Sequence, residues 1–313
     1  MNITILGAAG FIGTNLSLNL ARDQKNNLLL VDQNLDYFAR ELKNNYDNIK
    51  MIESDFDKTT DFEKILEGQD IVYHLVSTSI PSNSNMKISE ELTSNVVTTA
   101  VLLDACVKMN IKRLVFISSG GTVYGKSISC PINEDESLKP ISSYGLQKVT
   151  IEKLLYLYRY IYGLDYRIIR LSNPYGPYQR PNGVLGALTT FTYKALSNDE
   201  ITVYGDGSVV RDYIYIDDAI RAILNIVNSD SSYKLYNIGC GYGTSINQLL
   251  TIISESLGRK LNVKYTQGRK VDVPVNYLDI SRFEREFGKI QTVSLSEGIH
   301  KTADFLRLNY LNS

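Results

Sequence analysis

The stretch ITILGAAGFIG, residues 3–13, opens with a β-branched apolar run and then turns through Gly7, Gly10 and Gly13. Glycines at this spacing, directly after a strand and at the start of a helix, suit the pyrophosphate of a dinucleotide. Gly7 permits the tight turn, Gly10 lets backbone N–H groups approach the anion, and Gly13 lets the helix pack close to the strand. Phe11 and Ile12 fall in the first helical turn, where free N–H groups favour negative charge. Asp32 follows at the end of the next apolar run, NNLLLVD. Its carboxylate can accept bonds from an adenosine ribose diol and would repel a 2′-phosphate. No arginine follows it in DQNLDY, so the pattern predicts NAD in preference to NADP.

Outward from that turn, apolar runs recur at 26–32, 49–54, 70–76 and 112–119. They alternate with helical patterns near 11–23, 35–46, 58–68, 88–109 and 143–163. Continuous apolar runs mark strands buried on both faces, and the alternation marks βαβ crossovers. The predicted fold is α/β, a Rossmann-type doubly wound parallel sheet with a smaller α/β C-terminal substrate domain. After residue 172 the pattern breaks: NPYGPYQRPNG is turn-rich, and a helix near 183–198, strand-like ITVYG and DYIYI, and helices near 217–228 and 245–257 follow. The expected division is a nucleotide-binding domain over 1–172, to which parts of the later chain return, and a mainly substrate-binding domain over 173–313. No Gly/Ser/Pro linker separates them, so the second is expected beside the sheet.

Two helices carry more than one apolar stripe. Val96, Ala100, Leu103 and Val107, with Val97 and Val101, line the first; Leu154, Leu157, Tyr158 and Ile161 line the second. Such helices bury against more than their own sheet, in a thick core or against a second subunit.

The 313 residues are 43% hydrophobic and 21% charged, with 33 Lys+Arg against 34 Asp+Glu and a formal net charge of −1. That balance provides no basic field for nucleic acid or an anionic membrane. The N-terminus lacks a basic flank and a cleavable apolar run, and no run approaches the ~20 apolar residues of a bilayer span. The expected setting is soluble and cytoplasmic. Cys106, Cys130 and Cys240 are widely spaced, and His74 and His300 are the only histidines, so neither a disulfide framework nor a metal site is expected.

ISSYGLQKVTIE, residues 141–152, places Tyr144 and Lys148 one helical turn apart. Alone, Tyr-x-x-x-Lys is weak in a chain with 22 tyrosines. It gains weight from order: the glycines, Asp32, SSGGTVYG at 118–125, then Tyr144 and Lys148. With these in one sequence the chain resembles an extended short-chain dehydrogenase/reductase. Within that superfamily it is similar to the NAD-dependent epimerase/dehydratase family of sugar-nucleotide enzymes, typified by UDP-glucose 4-epimerase. The resemblance runs over nearly the whole chain and includes ESDFDK, HLVSTS, SNVVTTAVLLDAC, RLSNPYGPYQ, VYGDGSVVRDYIYIDDAIRAI, YNIGCGYGTSINQLL and GRKVDVPVNYLDIS.

The resemblance implies that Asp55 and Phe56 meet the adenine, that Leu75, Val76 and Ser77 line the cofactor, and that Asn95 supports the site. It implies that Asn173, Arg211 and Arg269 hold the diphosphate of a sugar nucleotide; a guanidinium fork bonds phosphate oxygens in pairs. Lys148 would stabilise the Tyr144 phenolate and bond the nicotinamide ribose, while Tyr144 takes the proton of the sugar's carbon-4 hydroxyl. The expected activity is 4-epimerisation of a UDP-hexose, glucose/galactose or their N-acetyl forms, through a transient 4-keto sugar, in a homodimer. The resemblance implies that Asn173, where relatives acting on glucuronates tend to carry Thr, favours a neutral hexose. Another nucleotide-sugar oxidoreductase, such as a ketoreductase or a 2-, 3- or 5-epimerase, and a non-catalytic NAD-binding sensor stand as alternatives.

One position departs from the family. A Ser or Thr is usual four residues before the tyrosine of VYG, and here that position is Gly120. Ser119 or Thr122 would supply the hydroxyl, with Thr122 favoured for a catalytic and sugar-contacting role. Gly120 reads either as backbone that needs room or positive φ, or as a wider sugar pocket. No carboxylate stands just before VYG, so the dehydratase and decarboxylase chemistry of related enzymes lacks its acid and base.

Overall fold

The computed structural model describes residues 1–79, 84–126, 129–181, 186–268, 273–290 and 292–311. The chain begins β1 (Asn2–Leu6), α1 (Phe11–Ala21), β2 (Asn27–Asp32), α2 (Arg40–Asn44), β3 (Ile49–Glu53), α3 (Phe62–Leu66) and β4 (Ile71–His74). It continues α4 (Ile88–Leu92), α5 (Thr98–Lys108), β5 (Arg113–Ser119), α6 (Ser143–Tyr162) and β6 (Tyr166–Leu171). Then come β7 (Asn173–Tyr175), α7 (Ala187–Ser197), β8 (Ile201–Tyr204), β9 (Val210–Arg211), β10 (Tyr213–Tyr215), α8 (Ile216–Val227) and β11 (Leu235–Ile238). The last part adds β12 (Thr244–Ser245), α9 (Ile246–Leu257), β13 (Val263–Thr266), β14 (Val275–Asn276), α10 (Ser281–Phe287) and α11 (Leu295–Leu306).

Seven strands form one parallel sheet in the order β11-β6-β5-β4-β1-β2-β3. The order reverses between β1 and β4, and in doubly wound sheets a crevice opens at the carboxyl ends of the strands at such a switch point. Smaller sheets pair β10 with β7, β12 with β9 and β14, and β13 with β8.

Alternation along the strands feeds both faces. Ile3, Ile5, Leu28 and Leu30 pack with Leu16 and Leu20 of α1. Leu6, Val31, Val72, Leu114 and Phe116 pack with Leu102, Leu103, Ile151 and Leu155 of α5 and α6. Each fully buried large apolar side chain contributes about 1.5–3 kcal/mol, so both helix layers clamp the sheet and hold its strand ends in place. Helix α6 is delimited by its own chemistry. Ser142 Oγ accepts from the Gly145 N–H at 3.1 Å, and Gly163 closes the helix at φ 75°.

Some expectations change in detail. The helix expected at 35–46 is a 3-10 turn, Leu35–Tyr37, followed by α2, because Asn34 Oδ1 accepts from the Asp36 N–H and starts a turn. The helix expected at 58–68 shrinks to α3, since Asp57 ties up Thr59 in a turn and Asp61 caps at Lys64. A π turn, Thr93–Val97, joins α4 to α5 inside the 88–109 segment. Strands β6 and β11 carry no expectation from the apolar runs, yet β6 lies between β5 and β11. Of the apolar stripes, Val96, Val101, Leu154 and Tyr158 pack against the core, whereas Val97, Leu157 and Ile161 are 46%, 45% and 54% exposed. Among the described residues no helix is long and apolar enough to cross a membrane.

Candidate active site

A cleft of about 690 Å³ opens where β1, β4, β5 and β6 end. The glycine turn after β1 lines it with Gly7, Gly10, Phe11, Ile12 and Gly13. Gly7 sits at φ +84°, and a β-carbon on Gly13 would stand 2.3 Å from the Gly7 carbonyl oxygen. Gly10 begins α1 with no side-chain cap and no acidic residue in the first turn. Small residues, bare N–H groups and a positive helix end fit a dinucleotide pyrophosphate. Asp32 closes the turn: its Oδ2 accepts from the Ala9 N–H and its Oδ1 from the Gln33 N–H, both at 2.9 Å.

Leu75 and Ser77, after β4, line the same cleft. Val76 does not; its Cγ2 and N–H stand against Gly7 instead. Asn95 is buried in the π turn and holds this loop, with Oδ1 accepting from the Thr78 N–H at 2.9 Å and Nδ2 donating to Thr78 Oγ1 at 2.7 Å. Asp55 is exposed, and Phe56 stacks on His74 with ring centroids 5.0 Å apart; neither lines the cleft.

Tyr144 and Lys148 face the cleft from the first turns of α6. Lys148 is buried, its Nζ donates to the Ile117 carbonyl at 3.0 Å, and it stands 4.7 Å from the Phe116 ring centre and 5.5 Å from that of Tyr144. Burial pushes the Tyr144 phenol up to about 12. Burial pushes the Lys148 ammonium down to about 8, opposed by the charge of Glu152. The expected phenolate is therefore not prepared by the lysine within the chain alone: desolvation outweighs it. His74, beneath the pair, is pushed down to about 3 by burial and then by Lys148, so it is neutral; its Nε2 lies 3.0 Å from Thr99 Oγ1.

The hydroxyl question has a geometric answer. Ser119, at the end of β5, lines the cleft with Tyr144 and Lys148. The favoured Thr122 does not line it; its Oγ1 is buried with no hydrogen-bond partner among the described residues. Thr122 lies in the turn beyond the strand, its carbonyl against Gly145 of α6. Gly120 is buried and outside the cleft lining, and a β-carbon there would meet Leu278 Cδ1 at 2.5 Å. The glycine makes room for Leu278 and does not widen a sugar pocket.

At the other end, Asn173 and Arg211 line the cleft. Asn173 Nδ2 donates to the Asp212 carbonyl at 2.9 Å, and Arg211 Nη1 donates to the carbonyls of Val210 and Val273 at 2.8 and 2.6 Å. Arg269 lies outside the described residues. Ser79, Gln179, Lys194 and Tyr204 also line the cleft. The first two and Tyr204 sit inside stretches that carry the family resemblance; Lys194 has no local signal.

The chain belongs to the NAD dependent epimerase/dehydratase family, whose model matches residues 3–239. A putative UDP-glucose 4-epimerase of Methanocaldococcus jannaschii is 32% identical, covering 98% of this chain and 99% of that one. A dTDP-4-dehydro-6-deoxyglucose reductase of Escherichia coli is 30% identical over 97% of each chain. Among solved structures, the UDP-glucose 4-epimerase of Thermotoga maritima with UDP-glucose superposes at a TM-score of 0.91, with 32% identity and coverage of 98% of this chain and 99% of that one.

Proposed function

We propose that this chain is an NAD-dependent UDP-hexose 4-epimerase. The observation that carries the reading is one cleft into which the glycine turn, Tyr144, Lys148, Ser119, Asn173 and Arg211 all open. Gly7, Gly10, Phe11, Ile12 and Gly13 would hold the cofactor pyrophosphate and Asp32 its adenosine ribose, with Asn95 fixing the Leu75–Ser77 loop. Asp55 and Phe56 would border the adenine. When bound, NAD⁺ would supply a hydride acceptor and a positive charge. Tyr144 would take the proton of the carbon-4 hydroxyl while the hydrogen on carbon 4 itself is given up as hydride, and would return the proton once hydride has been restored to the other face of the sugar. Ser119 donates to the same oxygen, and Lys148 keeps positive charge next to it. Asn173 and Arg211 grip the diphosphate, so the hexose can turn while the nucleotide stays anchored.

The division at residues 172/173 then separates cofactor binding from sugar-nucleotide binding. The exposed stripe of Val97, Leu157 and Ile161 supports a homodimer. A second reading, ketoreduction of a nucleotide sugar, is supported by the reductase relative.

One experiment separates them. The purified protein is incubated with UDP-glucose, UDP-galactose and their N-acetyl forms without added cofactor, and the sugar is followed by NMR. Inversion at carbon 4 driven by co-purified NAD is the expected outcome. No inversion, with stoichiometric consumption of NADH or NADPH on a 4-keto nucleotide sugar, would reject it for the second reading.

A further inference from the structure

Glu152 lies one helical turn beyond Lys148 on the same face of α6. Lys148, Glu152, Ser118 and Arg170 are each no more than 6% exposed. The Glu152 carboxylate accepts from Ser118 Oγ at 2.6 Å and from Arg170 Nε and Nη2 at 3.1 and 2.7 Å. Arg170 is anchored in turn, its Nη1 donating to Tyr124 Oη and to the Glu134 carbonyl, both at 3.0 Å. Ser118 adjoins Ile117, whose carbonyl accepts from Lys148. Ammonium and carboxylate are thus both held by the end of β5.

The reaction outlined above uses neither Glu152 nor Arg170. A buried ion pair is seldom more stable than a well-packed apolar pair of the same volume, so its place here calls for a use. The groups facing Lys148 narrow that use. From β4 comes His74, which is neutral; from β5 the Phe116 ring and the Ile117 carbonyl; from α6 the protonated Tyr144 and the anion Glu152. An ammonium in such a place loses its proton readily unless a fixed negative charge opposes the loss.

We propose that Glu152 is a positioning residue that keeps Lys148 charged beside Tyr144, with Ser118 and Arg170 fixing the carboxylate for that task. Burial drives the Lys148 proton off and Glu152 is the opposing influence. Ser118 and the Arg170 guanidinium hold the carboxylate with three hydrogen bonds, so it cannot swing away when the cleft fills. The consequence for turnover rests on the proposed epimerase reading; the consequence for Lys148 does not.

The test uses the full chain as purified, labelled with carbon-13 at the lysine ε carbons, with the Lys148 signal identified by its loss in Lys148→Arg. Its titration is followed by NMR in the parent, in Glu152→Gln, and in the double variant Glu152→Leu/Arg170→Met. The double variant removes both charges, so no unpaired guanidinium is left to unfold the site. The expected result is a Lys148 midpoint lower by about one pH unit in folded Glu152→Gln and lowered by less in the double variant, where losing the Arg170 charge partly offsets losing the carboxylate. The kcat/KM for epimerisation should then fall several-fold more at about pH 8.5 than at about pH 6.5. An unchanged midpoint in a folded variant overturns the proposal and leaves the pair as a tie between α6 and β6. A lowered midpoint in a protein that inverts no nucleotide sugar upholds Glu152 and rejects the function reading instead.

Discussion

Gly120 and Leu278 occupy one space: a β-carbon on Gly120 would stand 2.5 Å from Leu278 Cδ1 and 3.2 Å from the Arg170 carbonyl oxygen. Leu278 is fully buried in a small cluster with Val123, Tyr124 and Ile132. The absent hydroxyl at residue 120 is thus bound up with packing. Gly120→Ser is expected to cost about 1–3 kcal/mol by overpacking. Combined with Leu278→Ala, it should recover at least ~1 kcal/mol relative to the sum of the single changes. Urea unfolding of the four proteins measures this coupling, and strict additivity would refute the shared space.

Ser119 and Thr122 separate cleanly. Ser119→Ala should lower kcat about 10²-fold by removing a donor at the reacting oxygen. Thr122→Val should change kcat less than about threefold and leave stability equal or slightly higher, because it replaces a buried hydroxyl without a partner among the described residues. The reverse ranking in steady-state kinetics would return the role to Thr122.

Lys148 titrates near 8 in the fold against an ordinary 10.5. The folded chain therefore binds this proton more weakly than the unfolded chain. Below about pH 8 both states are protonated and the fold bears the whole cost; above 10.5 both are neutral and the cost is gone. Lys148→Met is expected to be more stable than the parent by about 2–3 kcal/mol at pH 7. The advantage should shrink as pH rises from about 8 to 10.5, while turnover is lost. Urea midpoints at pH 7 and pH 10 check the sign, and a variant less stable at pH 7 contradicts it.

Leu157 and Ile161 of α6 are 45% and 54% exposed, and Val97 beside the start of α5 is 46% exposed. Covering such side chains contributes about 1.5–3 kcal/mol each when burial is complete. Leu157→Asp with Ile161→Asp should convert a dimer to a monomer in light scattering without lowering the thermal midpoint of the monomer. A parent protein that is monomeric at micromolar concentration would remove the basis for this interface.

The first five strands and the helices that carry the site were legible because each is a local pattern. NITIL, NLLLVD and RLVFISS are continuous apolar runs, and burial on both faces of a parallel sheet is what such runs record. The glycine turn could be read for a related reason: Gly13 lies within a β-carbon's radius of the Gly7 carbonyl, so no other residue fits. Tyr144 and Lys148 stand one helical turn apart, a spacing that gained its weight from the order of the motifs before it.

Strand β6 was hidden for the opposite reason. YRIIRL carries two arginines, yet Arg167 and Arg170 are 0% and 3% exposed on a strand one removed from the sheet edge. Arg167 donates to Asp165 and the Ser229 carbonyl, and Arg170 to Glu152, Tyr124 and the Glu134 carbonyl. Strand β11 hides Asn237 in the same way, bonded to Tyr124 Oη and the Ile132 carbonyl. A charged or amide group can enter a sheet only when acceptors and donors meet it there. Asp165 lies near Arg167 in sequence, but the partners of Arg170 and Asn237 come from remote parts of the chain that no short window contains.

Local pattern was therefore sufficient for the class of fold and the nucleotide turn, since each depends on residues within one turn or one strand, while the Tyr144 and Lys148 spacing drew its weight from the order of motifs along the chain. Packing in three dimensions settled that Ser119 and not Thr122 faces the cleft, that Leu278 fills the place beside Gly120, and that Ser118 and Arg170 bind the Glu152 carboxylate. Those outcomes turn on which distant side chains share a dry volume, where an unmatched charge or an extra carbon costs too much to be placed anywhere else.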